Sequence, residues 1–322
     1  MNETRMTGSG PVVPRGLAER ALQIADGRLQ PAVPRDAATV ILLRQDASAG
    51  EGGGVEAFLL RRTAELEFAP GAYVFPGGSV DAPDADPGVG WAGPGPGDFA
   101  ALLDVPPDRA RALVCAAVRE TFEESGVLLA GASRDDLVRE SAALAADRHA
   151  LLAGSASLTE VLARRGLVLR TDLLTPWARW ITPEASPRRF DTWFFAAALP
   201  PGQDATAAPE GFGDHADPGE SESGAWLRPA SALEAARAGQ MTLLPPTAVT
   251  LGELARHRDV PAILARRQVI TPRLPKLIVE DGRVRLALPQ PGEERTGPRR
   301  RRASTGSARR GRPACWRRTP LR

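Results

Sequence analysis

The sequence predicts an α/β fold in which helices pack against a mixed sheet. Strand-like and helix-like segments follow each other in an irregular order, and hairpins stand near both ends of the patterned region. The chain has 322 residues, of which 43% are hydrophobic and 25% charged, as in globular domains. These features favour a mixed-sheet α/β sandwich over an all-parallel wound sheet.

The first elements are a short helix at 17–26 and two strands at 37–44 and 55–62. The strands read AATVILLR and VEAFLLRR, and the turn-rich segment QDASAGEGGG between them predicts a hairpin. A third short apolar run, AYVF at 72–75, leads into a proline and two glycines. The next segment, 81–104, is so rich in Pro, Gly and Asp that it predicts an inserted loop.

A helix is predicted from 105 to 125. Pro106 and Pro107 suit a first helical turn, Asp108 places negative charge near the helix N-terminus, and Gly126 closes the segment. Further helical patterns at 133–153 and 158–165 predict a helical insertion over 133–165. The remaining elements are strands at 177–182, 189–198 and 224–227, helices at 229–238 and 246–256, and a hairpin of 277–280 with 284–288.

Charge divides the chain into an acidic body and a basic tail. The formal net charge is +2, but 295–322 holds eleven arginines and no acidic residue, so the remainder carries −9. We therefore expect a lead at 1–35, one domain at 36–290, and a disordered Arg-rich tail at 291–322. The tail is interpreted either as an arm that contacts nucleic acid or, as we favour, as an extension without function.

No long apolar run and no signal-like N-terminus occur, which predicts a cytoplasmic protein without membrane contact. The two cysteines, Cys115 and Cys315, are too far apart in sequence to suggest a metal site or a disulfide framework.

Three carboxylates converge on one face of the helix that is predicted at 105–125. Glu120, Glu123 and Glu124 are three and four positions apart, so their side chains share one side. Like charges at these spacings destabilise a helix unless a cation binds them, and Mg²⁺ or Mn²⁺ prefers such oxygen ligands. An exposed acidic face without a metal is the alternative.

Together with Gly77 and Gly78, this helix resembles the Nudix box, G-x5-E-x7-R-E-U-x-E-E-x-G-U. Gly78 matches its first glycine, and the segment Arg119-Glu120-Thr121-Phe122-Glu123-Glu124-Ser125-Gly126-Val127 follows the second half of the pattern. The interval from Gly78 to Arg119 is 27 residues longer than in the pattern, and Arg111 stands where the first glutamate is expected when counted back from Arg119. Asp81 or Asp84 could replace that glutamate.

The resemblance implies a Nudix-type α/β/α sandwich and a hydrolase that cleaves a diphosphate linkage with Mg²⁺ or Mn²⁺. It implies metal binding by Glu120, Glu123 and Glu124, and catalytic roles for Glu120, Glu123 and Arg119. Either Glu123 or a residue on a later loop, such as Glu220 or Glu222, would be the base. Nudix relatives are often dimers, so a homodimer remains an option.

The interrupted box, together with the segments 176–200 and 241–254, resembles a subgroup of coenzyme A diphosphatases. This resemblance implies coenzyme A or acyl-coenzyme A as substrate, cleaved to phosphopantetheine and adenosine 3′,5′-bisphosphate. Two alternatives remain open. The substrate could be another nucleoside diphosphate derivative, or the protein could be a non-catalytic module that binds nucleotides. The candidate substrate-binding residues are Gly77, Gly78, Arg62, Arg189 and Glu222, although 189–198 could equally be a strand that packs Trp193 and Phe194 in the core.

Overall fold

The structure is a computed structural model, which describes residues 13–46, 48, 54–63, 69–208, 221–267, 270–280 and 283–288. The expected tail at 291–322 and the start of the lead, 1–12, lie outside these residues. None of the helices in the described ranges combines the length and the apolar composition needed to cross a bilayer. The helices are α1 (Arg15–Ala25), α2 (Pro96–Leu103), α3 (Pro107–Ser125), α4 (Ala145–Leu152), α5 (Leu158–Arg165), α6 (Pro229–Arg237), α7 (Pro245–Leu254) and α8 (Val260–Leu264).

A mixed sheet forms the centre of the fold, and two short pairs, β5–β6 and β12–β13, stand apart from it. Its order is β10-β3-β2-β1-β8-β7-β11, with β4 paired to β1 and β9 to β2. The strands are β1 (Arg35–Gln45), β2 (Val55–Arg62), β3 (Ala72–Val74), β4 (Gly77–Ser79), β5 (Ala130–Gly131), β6 (Val168–Leu169), β7 (Thr175–Ile181), β8 (Phe190–Ala198), β9 (Ser221–Leu227), β10 (Thr242–Leu243), β11 (Pro272–Arg273), β12 (Lys276–Glu280) and β13 (Arg283–Ala287).

Strand β1 is buried on both faces because helices cover both sides of the sheet. Val40 and Leu42 point into the cluster that contains α3, whereas Ile41 and Leu43 point into the cluster that contains α7 and α8. Side chains alternate between the faces of a strand, so a continuous apolar run is the pattern of a strand covered on both sides. The α/β/α sandwich with a mixed sheet, as the sequence predicts, is therefore confirmed.

Strands β1 and β2 pair at one end and separate toward the other. The segment from β3 to β4 enters the gap: β3 pairs with β2, β4 pairs with β1, and Val40 N donates to Pro76 O at 2.9 Å. Strand β8 lies parallel to β1 on its other side. This arrangement places Gly77 and Gly78 in the central sheet, next to α3.

The segment 81–104 is not only a loop, in contrast to the expectation from its composition. It contains a 3₁₀ helix at Ala82–Ala85 and the helix α2, whose Phe99 and Leu103 are buried. Pro96 occupies the first helical turn, where proline is tolerated, so the proline and glycine content hides an amphipathic helix. Phe99 packs edge-on against Phe195 of β8 at a centroid distance of 6.2 Å.

The helix predicted at 133–153 is wrong in its first part. Residues 132–140 are irregular, a 3₁₀ helix follows at Ser141–Leu144, and α4 begins only at Ala145. Val138 N donates to Ala130 O, and Gln203 Nε2 donates to Val138 O at 2.7 Å. The backbone groups of this segment are thus bonded to distant parts of the chain, and local helix propensity is overridden.

The burial of Phe99 generates a first prediction. Phe99→Ala removes a fully buried ring at the contact between the box insertion and the sheet, and we expect a loss of about 3–5 kcal/mol in the free energy of unfolding. Urea denaturation followed by tryptophan fluorescence measures it. The matched control is Leu102→Ala in the same helix, where the side chain is 46% exposed and the change should stay within about 0.5 kcal/mol. Equal losses in the two variants would contradict this account of the insertion.

Candidate active site

Helix α3 carries the three glutamates along the edge of a buried stripe. The helix has a proline at its first position and ends at Gly126, whose φ of +71° is the left-handed conformation that favours glycine. Its apolar side chains are buried against the sheet, and Glu120, Glu123 and Glu124 occupy the last two turns. The spacing of three and four residues brings the three carboxylates to the side that faces β4.

The two glycines of β4 lie in direct contact with this face. Gly77 N donates to Glu124 Oε2 at 2.7 Å, and a Cβ added at Gly78 would overlap the Glu120 carboxylate. On the other side, a Cβ added at Gly77 would overlap the carbonyl oxygen of Ala38 in β1. Backbone and carboxylates can approach this closely only because neither position carries a side chain.

The side chain of Arg119 is enclosed by acceptors. Its Nε and Nη2 donate to the two carboxylate oxygens of Asp84 at 3.0 and 2.9 Å, and Nη2 also donates to Ser79 O. Its Nη1 donates to Glu120 Oε1 and Glu123 Oε2, both at 2.9 Å. Burial alone would lower the pKa of Arg119, but the Asp84 hydrogen bonds and the surrounding carboxylates outweigh it and raise that pKa.

Asp84, not Asp81, is the carboxylate that holds the box arginine. Asp84 is buried and binds Arg119 through both oxygens, whereas Asp81 is 3.5 Å away and 53% exposed. A sequence signal for this residue exists: counting forward from Gly78, rather than back from Arg119, brings the glutamate position of the box to Asp84.

Arg111, the residue at the position found by counting back, has a different environment. Its guanidinium lies over the ring of Trp91 at 5.8 Å from the centroid. The 27 extra residues therefore stand between the first acidic residue of the box and its arginine.

Burial raises the pKa values of two carboxylates of α3. The pKa of Glu120 is raised well above its usual value, first by burial; Arg119 opposes the shift, and the charges of Glu124 and Glu123 add to it. The pKa of Glu123 is raised by burial as well, against the opposing effect of Arg119. The guanidinium of Arg119, which opposes both shifts, is also bonded to Asp84.

The carboxylates of α3 are the donors that a divalent cation at this place would need. Across the described ranges, no group of three or more His, Cys, Asp or Glu side chains is arranged to hold a metal ion. Glu120 and Glu123 both accept hydrogen bonds from Arg119 Nη1, and Glu120 and Glu124 lie one turn apart beside the glycines. Two adjacent carboxylates fit a hard divalent cation, which prefers oxygen ligands and would remove their mutual repulsion.

Arg189 lies outside this group. It is buried at the start of β8, where Nε donates to Thr182 O at 3.1 Å and Nη1 donates to Ala32 O at 2.7 Å. Trp193 and Phe194 of the same strand are buried in the core, which agrees with the packing interpretation of this segment.

Arg62 and Glu222 lie on two neighbouring strands. Arg62 ends β2 and pairs with Ser221 of β9, at a register irregularity of these strands. Glu222 follows in β9, but its side chain is not among those described, and Glu220 lies outside the described residues altogether. The roles of Arg62 and Glu222 in substrate binding stay predictions.

A further arginine reaches the end of α3 from the helical insertion. Arg148 of α4 donates from Nε to Glu123 O at 2.9 Å and from Nη2 to Thr206 O at 3.0 Å. Thr206 N in turn donates to Ser125 O at 2.8 Å. Nothing in the sequence pattern of 133–165 marks Arg148, because its contacts join segments that are far apart along the chain.

Comparisons with known proteins agree with this geometry. The family model "NUDT19 Nudix domain" matches residues 100–255, which include the second half of the box but not its glycines. The crystal structure of a Nudix hydrolase from Alicyclobacillus acidocaldarius superposes with a TM-score of 0.58 at 24% identity, over 74% of this chain and 99% of that one. In sequence and fold, the chain thus resembles Nudix hydrolases, and among them the NUDT19 group.

Curated relatives with 28% or 29% sequence identity show the same resemblance. Putative nudix hydrolase 7 of Caenorhabditis elegans is 29% identical over 62% of this chain and 56% of its own length. The acyl-coenzyme A diphosphatase NUDT19 is 28% identical in Gallus gallus, over 66% of this chain and 65% of the relative. The human protein of that name is 28% identical over 64% and 62%. The matched region thus spans less than two thirds of these relatives.

The role of Asp84 in holding Arg119 generates a second prediction. Asp84→Ala leaves the buried guanidinium without its two-oxygen partner, and we expect a loss of about 3 kcal/mol in the free energy of unfolding. Asp81→Ala removes an exposed carboxylate at a longer distance and should lose less than about 1 kcal/mol. Chemical denaturation of both variants tests the difference. If Asp81→Ala is the more damaging change, the assignment of Asp84 is wrong.

Proposed function

We propose that the protein is a divalent-cation-dependent Nudix diphosphatase whose substrate is coenzyme A or an acyl-coenzyme A. The observation that carries this proposal is the contact between α3 and β4, where Glu120 and Glu124 flank Gly77 and Gly78. The same contact combines desolvated negative charge with a closely approaching backbone. The products would be phosphopantetheine, or its acylated form, and adenosine 3′,5′-bisphosphate.

In this proposal, Glu120 and Glu124 hold Mg²⁺ or Mn²⁺. A divalent cation at this place would supply charge neutralisation of the diphosphate and a lowered pKa of bound water. Arg119 keeps the carboxylates in position through its bonds to Glu120 and Glu123, and Asp84 holds Arg119 in turn. Gly77 and Gly78 let the backbone of β4 approach the carboxylates of Glu124 and Glu120 closely.

Glu123 is our candidate for the group that takes the proton from the attacking water. Its raised pKa brings it nearer to neutral pH, where a general base is most effective. Its carboxylate receives a hydrogen bond from Arg119, which restrains its orientation. Glu220 and Glu222 remain alternatives for this role.

The names of the relatives support coenzyme A as the substrate. The curated relatives from Gallus gallus and Homo sapiens are called acyl-coenzyme A diphosphatases, and the matching family model carries the NUDT19 name. Another nucleoside diphosphate derivative is the alternative, because the α3–β4 contact recognises the diphosphate and not the groups attached to it. The division into one domain at 36–290 and a tail, and the cytoplasmic location, also remain proposals.

A substrate panel is the third test. We expect the protein with Mn²⁺ to cleave coenzyme A and its acyl esters faster than dinucleotides or nucleotide sugars, with products identified by mass spectrometry. Glu124→Gln should lower kcat by about a hundredfold or more, because the metal loses a ligand. Glu184→Gln, which changes an exposed glutamate, is the control and should keep full activity. Unchanged turnover in Glu124→Gln would refute the proposed site, and binding of a substrate without turnover would favour a regulatory module.

The burial of Glu120 gives a fourth prediction, on stability. A carboxyl whose pKa is raised by folding destabilises the fold fully at pH values above its folded-state pKa, and this destabilisation disappears as the pH falls from that pKa to the ordinary pKa of the unfolded chain. Without metal, Glu120→Gln should therefore melt at a higher temperature than the parent protein near neutral pH, and the gap should close in acid. Added Mn²⁺ should stabilise the parent protein far more than the variant. Thermal denaturation at several pH values measures both effects; a metal-free variant that melts below the parent at neutral pH would contradict them.

A further inference from the structure

The guanidinium of Arg148 is built into the end of the metal-site helix. Nε donates to the carbonyl of Glu123, and Nη2 donates to the carbonyl of Thr206. A Cβ added at Gly126 would lie 2.9 Å from Nη1, so this glycine also makes room for the guanidinium. Two backbone carbonyls thus fix the orientation of a side chain that comes from another helix.

Not all donors of Arg148 are used by these contacts. An arginine has five N–H groups, of which one binds Glu123 O and one binds Thr206 O. The remaining contact, from Nη1 to Thr206 Oγ1, is 3.5 Å long, at the limit for a hydrogen bond. Donor capacity is therefore left on a guanidinium that is held in place.

The charge of Arg148 is also incompletely balanced. Within the described part of the chain, this arginine forms no ion pair with a carboxylate, since its three hydrogen bonds all go to carbonyl and hydroxyl oxygens. Burial lowers its pKa, and the charge of Glu124 acts in the opposite direction. A partly buried cation beside the metal-site carboxylates would be stabilised by an anion.

The other arginines placed near the box are less suited to such an anion. Arg119 is surrounded by Asp84, Ser79 and the glutamates of its own helix. Arg189 is buried and hydrogen-bonded to two carbonyls. Arg148 combines a fixed orientation, remaining donors and proximity to Glu124.

We propose that Arg148 of the helical insertion binds a phosphate oxygen of the substrate diphosphate. This inference rests on the proposed function. Arginine suits the task because its planar fork can donate two parallel hydrogen bonds to one phosphate group. The helical insertion is then part of the substrate site, and its cation opposes the negative charge that grows on the departing phosphate.

Binding of an unhydrolysable diphosphate tests the inference without turnover. Methylenediphosphonate is titrated calorimetrically, with saturating Mn²⁺, into the full chain and into Arg148→Met. We expect its Kd to rise about tenfold to a hundredfold in the variant, as for the loss of charged hydrogen bonds. Arg148→Lys keeps the positive charge but loses the planar guanidinium, and its Kd for methylenediphosphonate should be intermediate. Arg134→Met, which changes an exposed arginine of the same insertion, should leave the Kd unchanged.

The affinity for Mn²⁺, measured without a diphosphate, distinguishes a role of Arg148 in substrate binding from a structural effect of Arg148 on α3. If Arg148 binds phosphate, Arg148→Met binds Mn²⁺ as the parent does and shows a raised KM for the substrate cleaved by the parent. The inference is overturned if the variant binds methylenediphosphonate as tightly as the parent, or if Mn²⁺ binding weakens by the same factor. A parent protein that cleaves no diphosphate at all would refute the proposed function itself.

Discussion

The buried ion pair between Asp84 and Arg119 is the interaction on which the candidate site depends. Arg119 can orient Glu120 and Glu123 only because Asp84 fixes the guanidinium from the opposite side. Asp84 lies in the 3₁₀ helix that follows β4, so the pair connects the segment after the glycine-bearing strand to the glutamate-bearing helix. A guanidinium with several carboxylate acceptors satisfies charges that would otherwise be costly to bury.

The two insertions, 81–104 and 133–165, both support α3. The first one packs α2 along α3 and buries Phe99 against the sheet, and the second one brings Arg148 to the C-terminal turn of α3. The helix is thus supported near both ends by segments that a minimal box does not contain. The fold tolerates the electrostatic repulsion among the three glutamates because the rest of α3 is well buried.

Features that depend on local pattern could be predicted from the sequence, and features that depend on distant contacts could not. The apolar runs of β1 and β8 and the stops of α3 are local, and they were predicted to within a few residues. Helix α2 was missed because its prolines and glycines resemble those of a loop. The sequence predicts a helix at 133–140 because nothing local shows that Gln203 binds this segment. Of the site, the glutamates could be predicted from spacing and Asp84 from counting forward from Gly78, whereas the position of Arg148 required the fold.

The place of the long interruption has a consequence for the entropy of the chain. Asp84 and Arg119 are 35 positions apart in sequence, and their ion pair closes the loop between them. Because the entropy lost on closing a loop grows only with the logarithm of its length, lengthening an eight-residue interval to this size costs about 1.3 kcal/mol. Burial of a single side chain such as Phe99 or Leu103 offsets a cost of this size. The box can therefore be interrupted between Asp84 and Arg119 and still form one compact site. An insertion inside α3 would instead break the helix that aligns Glu120 and Glu124.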